Sequence, residues 1–163
     1  MSLHFIPEHA TAAQFTLDLA QREVAHLKFT HRRIFSTPPT LDWVRALSAN
    51  PVDAERLDAF VSRFARLQDH LGDKVLPRFA ALVGANPRSL LDALNIAERM
   101  QWVGSAQQFV SARKLRNLMV HEYMTDQNLF LDAVLASDEA CHMLYDTVER
   151  VREWAVVNGL LLQ

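Results

Sequence analysis

Eight large apolar residues, Leu57, Phe60, Phe64, Leu67, Leu71, Val75, Phe79 and Val83, recur at steps of three and four without a gap. A helix puts such a series on one face, whereas a strand would need apolar residues at every second position. The stripe predicts a helix over about 53–83, opened by Asp53. Pro77 falls late in it and removes a backbone donor, which predicts a kink there. A stripe of this length is stable only if other helices cover it.

The rest of the chain supplies them. Thr11 is placed to cap a helix running to Phe35, with Ala13, Leu17, Ala20, Val24 and Leu27 inside and Ile34 further down. Thr37-Pro38-Pro39-Thr40 breaks that helix. A short helix over 41–49 follows, with Trp43 and Leu47 on one face, and Asn50-Pro51 breaks the chain again. After the Gly84–Pro87 turn, Pro87 suits the start of a helix that carries Leu90, Leu91, Leu94 and Ala97. Ser105 is a good N-cap for a helix from Ala106. Thr125 or Asp126 caps a last helix over about 127–157, lined by Phe130, Val134, Cys141, Leu144, Val148, Val151 and Ala155. No stretch reads as an alternating strand. The expected fold is all-α: an up-and-down helical bundle of five to six helices. Residues 1–163 are expected to form a single domain, with 1–50 as an N-terminal helical extension and 53–157 as the core bundle.

Composition narrows the function. Half of the 163 residues are hydrophobic, enough for a core without metals or disulfides. The net charge of −2 excludes a global basic field, so any contact with RNA needs a local patch. The late cations of the first helix, His26, Lys28, His31, Arg32 and Arg33, fit either compensation of the helix dipole or a polyanion-binding patch. The single cysteine, Cys141, forms no internal disulfide, which fits a cytoplasmic protein. Neither a secretory signal nor a membrane span is expected.

Seven histidines raise the question of a metal. His121-Glu122 lacks a second histidine at the spacing of a zinc-protease helix, and His26 and His31 fall on different helix faces. Cys141-His142 has no second Cys/His pair nearby. No metal and no other cofactor is expected, and Cys141 reads as a buried, inert thiol.

Chemistry concentrates in residues 113–123. Arg116, Asn117, His121 and Tyr123 lie within about two helical turns. Histidine suits proton transfer near neutral pH, and the arginine fork matches two phosphate oxygens. Asn117 can orient the histidine, and Tyr123 can stack on a base. That set fits RNA cleavage without metal. Arg116 and His121 are five residues apart and do not stack on a regular helix. They converge if the helix ends or bends near His121, or if two chains share the site. A plainer reading makes His121 a core histidine bonded to Asn117, and Tyr123 a boundary aromatic.

The run Arg116-Asn117-Leu-Met-Val-His121-Glu-Tyr123 resembles the signature of the HEPN superfamily. The tyrosine after His121-Glu122 is similar to the form in HepT-like toxins paired with minimal nucleotidyltransferase antitoxins. Residues 64–74 also resemble the long second helix of that group, and the likeness spans about 54–153. It implies a homodimer, with Arg116 and His121 as the catalytic pair of a metal-independent endoribonuclease and Asn117 as their support. The cleft would form where two copies meet about a two-fold axis. Tyr123 would be the residue that the partner nucleotidyltransferase modifies with AMP. Arg113, Lys114 and Asp69 would be auxiliary to RNA binding, with Asp69 accepting from Arg116 or His121. The expected function is a ribonuclease toxin silenced by its antitoxin. The alternatives are a non-catalytic HEPN subunit that presents substrate or nucleotide to a nucleotidyltransferase, and a plain helical interaction bundle.

Overall fold

Helix caps and breakers divide the chain where the side chains can satisfy orphaned backbone groups. The structure, a computed structural model, describes residues 5–121 and 125–161. A 3-10 turn, Pro7–His9, leads into α1 (Ala10–Phe35). Thr11 therefore lies inside the helix and does not cap it; Pro7 starts the turn, and the Ile6 N–H donates to the Leu82 carbonyl at 2.8 Å. The Thr37–Thr40 break behaves as expected. Thr40 Oγ1 accepts from the Trp43 N–H and opens α2 (Leu41–Arg45), and a 3-10 turn over Leu47–Ala49 completes the short segment.

The long apolar stripe forms one continuous helical rod in three parts. They are α3 (Pro51–His70), a π turn (Leu71–Val75) and α4 (Leu76–Leu82). Pro51 occupies the first turn, where its missing donor costs nothing. The irregularity expected at Pro77 falls just upstream of it. The π turn interrupts the regular ladder, so Pro77 sits in the first turn of α4, where proline is tolerated.

α5 (Leu90–Arg99) begins three residues after Pro87, because Ser89 supplies the cap by accepting from the Asp92 N–H at 3.1 Å. α6 (Ala106–His121) is opened by two acceptors. Ser105 Oγ takes the Gln108 N–H, and Glu98 Oε2 takes the Ala106 N–H at 2.7 Å. Asp126 caps α7 (Gln127–Val157) by accepting from the Leu129 N–H.

The described residues contain no strand, and the helices pack as a bundle. α1 lies along α3 and α7; α6 packs on α7 and α3; α4 meets α5. The buried residues of α1, including Leu17, Leu27 and Ile34, belong to the same core as Phe60, Phe64, Phe109 and Phe130. Trp102, Phe79 and Trp154 close one end with edge-to-face contacts at 5.4–6.0 Å. Among the described residues, no helix is long and apolar enough to cross a membrane.

Candidate functional site

α6 anchors itself through Phe109, Ala112 and Met119, all buried. The other side of the helix presents its polar residues. Arg113, Lys114, Asn117 and His121 are exposed, whereas Arg116 is half-buried toward α3. The apolar run 118–120 divides accordingly: Met119 is buried, Leu118 half-buried, and Val120 44% exposed.

Arg116 is held at two points. Its Nη2 donates to Asp69 Oδ2 at 3.1 Å, across the α3–α6 contact, and its Nη1 donates to Asn117 Oδ1 at 3.0 Å. The two bonds use two of the five guanidinium N–H groups. Arg116 and Asp69 keep 28% and 38% of their side-chain surface, so water only partly screens the pair. Asp69 occupies the last regular turn before the π turn, and the pairing between residues 47 apart ties the candidate site to that irregularity. Beside it, α3 and α6 leave an open cleft of about 570 Å³ walled by Val61, Ala65, Arg66, Asp69 and Val120.

His121 is the last described residue of α6. Arg116 lies five positions before it on the same helix. Within the helix the two side chains project roughly 140° apart. Asn117 lies angularly between them and bonds to Arg116. His121 is exposed, unlike the core histidine of the plainer reading. Tyr123 lies outside the described residues.

Cys141 is fully buried, and burial pushes its thiol well above the ordinary range, in keeping with an unreactive core residue. His31 departs from expectation. It is not part of a solvated cationic face but is 6% exposed, with Nε2 at 2.7 Å from Asp138 Oδ1 and Nδ1 at 3.0 Å from the Tyr145 hydroxyl. Among the described residues, His31, Asp138 and His142 bring three metal-ligating atoms within 4.8 Å of one another. His31 comes from α1 and the other two from α7. The only trace of this group in the sequence is the four-residue step from Asp138 to His142, which shares one helix face.

No protein-family model, no curated protein and no solved structure matches the chain.

Proposed function

We propose that the chain is a metal-independent endoribonuclease of the HEPN kind, acting as a dimer in the cytoplasm and serving as the toxin of a toxin–antitoxin pair. The observation that carries this reading is the Arg116 guanidinium, clamped between Asp69 and Asn117 on the helix that also carries His121. A cation fixed in this way keeps the second N–H of Nη1 and of Nη2 for a phosphate, the Nε–H being buried, and its rotamer freedom is already spent.

In the proposed reaction, a His121 imidazole takes the proton of a ribose 2′-hydroxyl. The freed oxygen attacks the adjacent phosphorus, and Arg116 stabilises the charge that builds on the phosphorane oxygens. The departing 5′-oxygen takes a proton from solvent water, and the His121 imidazolium returns its own to solvent, leaving a 2′,3′-cyclic phosphate. Arg113 and Lys114 are exposed on the same helix and add sequence-independent phosphate contacts. Asp69, a carboxylate already committed to Arg116, positions the cation and does not itself meet RNA. The partner that silences the site is a nucleotidyltransferase that transfers AMP from ATP to the Tyr123 hydroxyl with release of pyrophosphate, adding a phosphate that competes with RNA for the catalytic cation.

Cleavage of a mixed RNA substrate in excess chelator tests this directly. Wild-type protein should cut, and Arg116→Ala and His121→Ala should each lose at least about 100-fold in rate while keeping wild-type melting. Unchanged cleavage by both variants would overturn the assignment. A second reading draws on the same ion pair: an arginine already matched by Asp69 also suits a non-catalytic subunit that presents nucleotide to a transferase. That reading expects a complex with the transferase and no cleavage by the free protein.

A further inference from the structure

The cluster outside the α6 site has its own geometry. His31 Nε2 lies 2.7 Å from Asp138 Oδ1, and His142 Nε2 lies 3.8 Å from the same oxygen. A divalent ion bound at roughly 2.0–2.2 Å to three such atoms spaces them about 3–3.5 Å apart. The two measured separations bracket that range. His142 keeps 71% of its side-chain surface and is free to swing inward, and Asp138 keeps 46%.

His31 is the fixed member. Its ring packs edge-on against Phe35 at 5.4 Å and lies tilted against Phe60 at 6.1 Å. The Tyr145 hydroxyl engages Nδ1, so Nε2 is the nitrogen aimed at Asp138. That is the arrangement of a metal-ligating histidine, whose second nitrogen is held by an outer partner that sets ring and tautomer. A buried His31–Asp138 pair alone would account for the first contact. It does not account for a second imidazole brought to the same carboxylate oxygen, with its ring centroid 5.2 Å from that of His31.

The cluster also opens outward. It borders a cleft of about 630 Å³ rimmed by Lys28 and Arg32. A fourth coordination position would face that cleft, and the two cations favour an anion or hydroxide there. Two imidazoles and one carboxylate select a late first-row transition ion over magnesium or calcium, which prefer all-oxygen shells.

We infer that His31, Asp138 and His142 form a Zn²⁺-binding site, open at its fourth position and oriented by Tyr145. It joins α1 to α7 and shares no residue with the Arg116–His121 set, so it stands or falls independently of the ribonuclease reading. Chelator-stripped full-length protein titrated with Zn²⁺ in a calorimeter tests it. One equivalent should bind with a Kd of about 1 μM or tighter, and the melting temperature should rise on binding. His142→Ala and Asp138→Asn each change a partly or largely exposed residue, and each should weaken binding at least about 10-fold. Tyr145→Phe, which keeps the ring and removes only the hydroxyl, should weaken it about 10-fold or more while Zn²⁺ stoichiometry stays at one. Absence of saturable binding would overturn the site. So would wild-type affinity in both His142→Ala and Asp138→Asn, which would assign the zinc to other histidines.

Discussion

Asp69 determines how Arg116 can be used. The carboxylate pulls the guanidinium toward α3, and Asn117 fixes the other edge. Asp69→Asn keeps the shape and removes the charge. In the proposed enzyme it should lower the cleavage rate about 10-fold, with stability changed by no more than about 1 kcal/mol, as for other part-exposed ion pairs. Single-turnover cleavage and urea unfolding of the same preparation measure both; a large stability loss with unchanged cleavage would make the pair structural. Glu23 shows a residue-scale cost away from that site. Its carboxyl shares a cleft with Arg22, His26, Arg63 and Arg66, yet burial raises its pKa above the ordinary 4.5, outweighing the lowering by His70, Arg66 and His26. The folded chain therefore holds this proton more tightly than the unfolded chain. The resulting stability is fully present below the ordinary carboxyl range and is lost as pH rises through the raised value. Glu23 is half-buried, with Oε2 shielded from solvent, and the opposing pull of His70, Arg66 and His26 limits the effect. Glu23→Gln should unfold at a higher urea concentration than wild type at neutral pH, and the two midpoints should converge by about pH 4.

Helix ends show both what the sequence makes legible and what it does not. Periodicity located α1, the α3–α4 rod and α7, because burial of an apolar face is written directly in residue spacing; the stripe from Leu57 to Phe79 is buried at every step. Caps were legible where a short polar side chain stood at the right offset, as with Ser105 and Asp126. Thr11 and Pro87 misled because Pro7 and Ser89 offered better starts nearby. The π turn was hidden, since an extra residue per turn leaves the three-and-four spacing almost intact. C-terminal caps follow one pattern in three places. Beyond α4, α5 and α7 the chain turns through positive φ at Gly84, Gln101 and Gly159. In each case the next residue donates back to the third-from-last helical carbonyl, at 2.8–3.0 Å. Gln101 is the exception in kind, with φ 62° and a side chain that disfavours this region by about 1–2 kcal/mol. Its carbonyl, which accepts from Arg150, belongs to the backbone and survives substitution. Gln101→Gly should therefore raise the unfolding free energy by about 0.5–1 kcal/mol, the relieved strain being partly offset by the freer unfolded chain. A lower denaturant midpoint for the variant would show that the side chain makes a stabilising contact.

At the scale of the whole molecule, contacts between distant segments were the least legible part. Arg116 and Asp69 were each visible as polar residues beside an apolar seam, but their pairing depends on how α6 crosses α3. His31 and Asp138 stand 107 residues apart, and the basic run around His31 pointed toward solvent, not toward α7. The same limit applies beyond one chain. Arg116 and His121 leave α6 in directions roughly 140° apart, so one copy of a regular helix does not aim both at one phosphate. The proposed two-fold dimer resolves this by letting Arg116 of one copy work with His121 of the other. The exposed Val120, beside Val61 and Ala65, offers an apolar edge next to that site for such a contact. Complementation separates this arrangement from a site built within one chain. Arg116→Ala and His121→Ala proteins, each inactive alone, are unfolded together, refolded at equal ratio and assayed. Random pairing makes half of the dimers mixed, each with one Arg116 and one His121 on opposite copies. If the site is shared, cleavage should return to roughly a quarter to a half of the wild-type rate. If each chain carries its own complete site, every chain in the mixture lacks one member and cleavage stays at the level of the separate variants. Light scattering on the same samples should give twice the chain mass; a monomer that still cleaves RNA would rule out the shared site.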